Sequence, residues 1–133
     1  MGFIAALFLI YMRSEEIAFW AFIEVMYEKG WRNVYKEGTP KLITLLDSFD
    51  RQFNRTLPRI AMHLAENQVP TALCFSQVFT TIFIYDVPMD IAVRIIDVFL
   101  YDGEHILFKI LLNMLQLKEK RILEFHTQEL LNY

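Results

Sequence analysis

Apolar residues along this chain recur with helical rather than strand spacing, and the polar punctuation between them repeatedly marks helix starts and stops. From Gly2 to Met12 the run "GFIAALFLIYM" is apolar on every side, which predicts a helix buried all round. Ser14 follows as an N-cap with Glu15 and Glu16 in the first turn, where the helix dipole favours negative charge. That second helix runs through "IAFWAFIEVMYEK" to a stop at Gly30. After the connector "WRNVYKEG", Thr39 is placed to cap and Pro40 to take the first helical position. Leu42, Leu45, Leu46, Phe49 and Phe53 then form one stripe. Pro58 opens a shorter helix through His63 and Leu64, Pro70 precedes one reaching about Tyr85, and Pro88 starts another ending near Gly103. The stretches "EHILFKILLNMLQ" and "KEKRILEFHTQELLNY" supply two more, the last peripheral because its apolar positions are spread among charges. The segment "VFTTIFIY" is rich in β-branched and aromatic residues, but its length and proline-bounded setting favour a buried helix. The prediction is an all-α, irregular bundle of about eight helices with short connectors.

The opening run is expected to be neither a leader nor a membrane span nor a lipid-anchored end. Nothing basic precedes Phe3 and "YMRSEE" follows, unlike a secretory signal. The run is far shorter than the roughly 20 residues of a membrane-spanning helix. Gly2 lacks the Ser or Thr that myristoylation wants, since Ala6 stands there. An interior helix of a larger bundle remains. Composition agrees with a core-rich domain: 133 residues are 55% hydrophobic, with 4 Gly and 4 Pro. A net charge of -3 leaves no basic footprint for nucleic acid or for anionic membranes. The lone Cys74 has no disulfide partner in the chain and reads as a small core residue in a reducing setting.

Candidate chemistry is sparse. His63, His105 and His126 share no helical face with one another or with Cys74, so no metal site is expected. No phosphate-binding glycine loop or nucleophile elbow occurs, no cofactor is implied, and the chain is not expected to be an enzyme on its own. Asp97 lies among apolar neighbours, where a charge needs a partner, and Arg94 three residues earlier is placed to form a structural ion pair with it. Asp47 and Arg51 are spaced to pair on a solvated face in the same way.

Three segments in order carry a likeness to a known family: "GFIAALFLIYMRSEEIAFWAFIEVM", "YKEGTPKLITLLDSFDRQFNRTLPRIAMHL" and "FSQVFTTIFIYDVPMDIAVRIIDVFLYDGEHILFKI". Their details are an "E-AFW" helix after a buried apolar one, the connector "GTPKL", and a pattern borne by Ser76, Gln77, Phe79, Thr81, Phe83, Pro88, Arg94, Ile95, Asp97, Phe99, Leu100 and Gly103. Together they resemble the TBC domain of Rab GTPase-activating proteins, over nearly the whole chain. Two family tryptophans are replaced, by Val78 and Ile96. Each loss of volume in a core would cost a few kcal/mol without compensation from neighbours.

The resemblance implies an all-helical module that stimulates GTP hydrolysis by a Rab-family small GTPase in vesicle traffic. It also implies a cytoplasmic location, peripheral on endomembranes through partners. Such modules supply an arginine finger from an I-x-x-D-x-x-R segment and a glutamine finger from a Y-x-Q segment. The arginine neutralises charge developing on the transferred phosphoryl group, and the glutamine orients the attacking water. Neither string occurs among the 133 residues, and Met1 aligns just after the glutamine position. The expectation is therefore that residues 1–133 form the C-terminal part of a TBC domain, inactive alone because the finger segment is absent. Arg51, Arg55, Arg59 and Arg94 do not match the finger motif. Gln77 matches a family position and is the candidate partner contact. The alternative is a non-catalytic helical module that keeps a Rab-binding or adaptor surface.

Overall fold

A computed structural model describes residues 1–125, which form eight α-helices and, among the described residues, no β-strand. They are α1 (Gly2–Tyr11), α2 (Glu15–Ile23), α3 (Pro40–Thr56), α4 (Pro58–Glu66), α5 (Thr71–Thr81), α6 (Met89–Asp102), α7 (His105–Leu117) and α8 (Glu119–Glu124). The part of the last expected helix beyond Phe125, with His126, lies outside the described residues.

The centre of the bundle is aromatic. The 17-residue α3 presents Leu45, Phe49 and Phe53 inward, at i, i+4 and i+8. Phe49 is fully buried and is the hub, with ring centroids 5.2 Å from Phe75, 5.6 Å from Phe53 and Phe79, and 5.8 Å from Phe108. These contacts lock α3 against α5 and α7 largely through offset and edge-to-face geometry, which favours the ring quadrupoles. Val78 and Ile96, read from the sequence as replacements of larger residues, are both buried in the core. The four prolines sit where expected, at or just before helix starts: Pro40 and Pro58 begin α3 and α4, while Pro70 and Pro88 immediately precede α5 and α6.

Several boundaries differ from those the sequence predicts. The second expected helix is α-helical only to Ile23, then widens into a π-turn over Glu24–Glu28 before Gly30 turns left-handed at φ +66°. Ser14 caps α2 as expected, its Oγ accepting from the Ile17 N–H at 3.2 Å. Thr39 precedes α3 but makes no capping bond with its side chain, because its backbone is left-handed at φ +44°. The connector is structured: Trp31–Val34 is a 3-10 turn whose fully buried Trp31 meets Phe99 at 5.0 Å.

The largest departure is in "VFTTIFIY". Its helix ends at Thr81, not near Tyr85, and Ile82 and Phe83 both take positive φ, +49° and +63°. A left-handed non-glycine residue costs about 1–2 kcal/mol. Burying an Ile or Phe side chain returns about 1.5–3 kcal/mol, and Ile82 and Phe83 are both fully buried. Burial therefore outweighs backbone strain. The Phe83 N–H still reaches the Val78 carbonyl at 3.0 Å, which closes the helix end in the manner more often left to glycine.

The opening helix corrects a further expectation. It buries Ile4, Leu7 and Phe8, but Phe3, Leu9 and Ile10 face outward. It is an apolar helix covered on one side only.

Candidate functional site

Gln77 lies on the outer side of α5, exposed together with Leu73 one turn earlier. Its carbonyl accepts from the Thr81 hydroxyl at 2.9 Å, and the residue is exposed rather than buried in the core. The end of α5 is anchored by Tyr35, whose hydroxyl donates to the Thr80 carbonyl. Partial burial of Tyr35 disfavours its charged form and pushes the phenol up to about 12, so it stays a donor throughout the neutral range. Tyr35 lies in the segment whose composition reads as a connector. The aromatic content of "WRNVY" was the available signal that this segment enters the core.

Arg94 and Asp97 do not form the expected ion pair. Both are exposed on the outer face of α6, along with Asp90 and Tyr101, and no ion pair joins them among the described residues. The premise of a costly charge in apolar surroundings fails because α6 turns that face to water. Arg51 likewise donates to Ser48 Oγ at 3.3 Å instead of pairing with Asp47. The short ion pair that sequence spacing did not reveal is Lys41 with Glu104, at 2.6 Å. The Lys41 ammonium also donates to the Lys29 carbonyl at 3.2 Å and stands 5.5 Å from the centre of the Trp31 ring. It thereby ties the start of α3 to the turn between α6 and α7 and to the 3-10 segment. Around it runs an open groove of about 370 Å³ lined in part by Asn33, Thr44, Ser48 and Phe108.

No group of three or more His, Cys, Asp or Glu side chains able to hold a metal occurs among the described residues. His63 is engaged with the Phe125 carbonyl through Nε2 at 2.8 Å, holding α8 to α4. Burial pushes the Cys74 thiol up, away from the thiolate a nucleophile would need. No helix among the described residues is long and apolar enough to cross a membrane.

Helices α1 and α2 pack on each other, and both carry exposed apolar side chains. Leu9 and Ile10 project from α1, and the half-exposed Phe3 meets Tyr85 edge-on with ring centroids 5.7 Å apart. On α2 only Ala18 is fully buried, while Ile17, Phe19 and Trp20 are more than half exposed. The same "E-AFW" stretch that carried the family likeness thus presents its aromatic rings to the outside, with Phe19 and Trp20 in edge contact at 5.4 Å.

These features define an all-helical chain with exposed apolar side chains on α1 and α2 and, among its described residues, no group of three or more His, Cys, Asp or Glu side chains able to hold a metal. Residues 1–123 match the family model described as the Rab-GTPase-TBC domain, and the chain belongs to that family. The whole chain is 29% identical to GTPase-activating protein GYP5 of Saccharomyces cerevisiae, covering 15% of that protein. Over 99% of its length it is 29% identical to the human ecotropic viral integration site 5 protein homolog, covering 16% of it. Over 91% of its length it is 31% identical to TBC1 domain family member 2B of Xenopus tropicalis, covering 13%. The chain therefore spans less than a fifth of the length of these curated relatives.

Proposed function

We propose that this chain is the C-terminal part of a Rab GTPase-activating TBC domain, and that its parent protein stimulates GTP hydrolysis by a Rab-family GTPase. One observation carries this reading: the family match runs over residues 1–123 of a sequence that contains neither I-x-x-D-x-x-R nor Y-x-Q. On this reading both catalytic fingers come from outside the chain, and the chain alone is inactive. An arginine finger is worth about 10³–10⁵ in rate to a GTPase, so its loss is not masked by residual binding. The uncovered apolar side of α1 and α2 supports a partial domain, since a closed bundle would turn such side chains inward. The parent protein would work in the cytoplasm, reaching endomembranes through its partners. Gln77 is the residue proposed to contact the GTPase, supported by its exposure on α5.

Single-turnover hydrolysis by a panel of GTP-loaded Rab proteins tests the proposal. The 133-residue chain is expected to leave the intrinsic rates unchanged, and the parent protein to raise at least one of them by orders of magnitude. Stimulation of that size by the chain alone would overturn the assignment of the fingers. A parent coding sequence without the two finger motifs would overturn the partial-domain reading. Retention of a GTP-loaded Rab by the folded chain, lost in Gln77→Ala, would support the proposed contact; the same retention with a parent coding sequence that lacks both finger motifs would instead favour a non-catalytic binding module.

A further inference from the structure

We draw no further inference here: the strongest candidate, the outward apolar face of α1 and α2 around Leu9, Ile10, Phe19 and Trp20, is an unpartnered surface, and nothing in the structure shows what covers it.

Discussion

Helices α1 and α3 show how little hydrophobicity alone says about burial. Every residue of α1 is uncharged and all but Gly2 belong to the apolar set, whereas α3 carries Lys41, Asp47, Asp50, Arg51 and Arg55. Yet α3 is the better completed helix. Its apolar stripe is filled by Phe75, Phe79 and Phe108 from neighbouring helices, and its charged side is completed by water. Helix α1 has two apolar sides and one set of neighbours, so Ile4, Leu7 and Phe8 are buried while Phe3, Leu9 and Ile10 are not. Apolar content counts the faces that need a neighbour. The fold decides how many receive one.

The largest test of this contrast is Phe49→Ala. Removing the hub ring should destabilise the chain by about 3–5 kcal/mol, read as a lower midpoint in urea unfolding; a change below about 1 kcal/mol would mean that α3 is not the organising helix. Next is Tyr35→Phe, which strands the Thr80 carbonyl and should cost about 1–3 kcal/mol. It also carries a pH signature. Because burial favours the neutral phenol, the folded pKa of about 12 lies above the ordinary value of 10. The resulting stabilisation is complete below pH 10 and declines as pH rises towards 12. Comparing wild type with Tyr35→Phe over that interval isolates the effect, and parallel stability curves would refute it.

Smaller again is Ser14→Ala, which removes the cap of α2 at a cost of about 1 kcal/mol. If the loss is well below that while far-ultraviolet circular dichroism stays constant, packing rather than capping holds the hairpin. The smallest stability change is expected for Ile10→Ser on the outer side of α1, within about 0.5 kcal/mol. The same substitution should nonetheless raise solubility in a concentration series, because it breaks the exposed apolar face. A loss resembling that of Phe49→Ala would show that Ile10 is buried and would erase the contrast between the two helices.

Much of the architecture was legible from local chemistry. Proline at or before four helix starts, Ser14 as a cap, and the stripe from Leu42 to Phe53 all rest on interactions within a few residues, which a sequence displays directly. The departures share a different origin. Ile82 and Phe83 occupy a conformation that local rules reserve for glycine, because burial in the core offsets the strain. Trp31 lies in a connector by composition but pairs with Phe99, far along the chain, at a separation no local pattern predicts. Arg94 and Asp97 have suitable spacing for a pair, but the packing of α6 leaves both in water, where a solvated pair gains little.

The candidate site divides along the same line. Family membership is a property of residue order, and the sequence alone determined it. The exposure of Gln77, the support of α5 by Tyr35, and the uncovered side of α1 and α2 were decided by tertiary structure. The physical reason is range. Capping, proline geometry and helical periodicity act over a few residues, whereas burial is set by whichever distant segment fills the space beside a side chain.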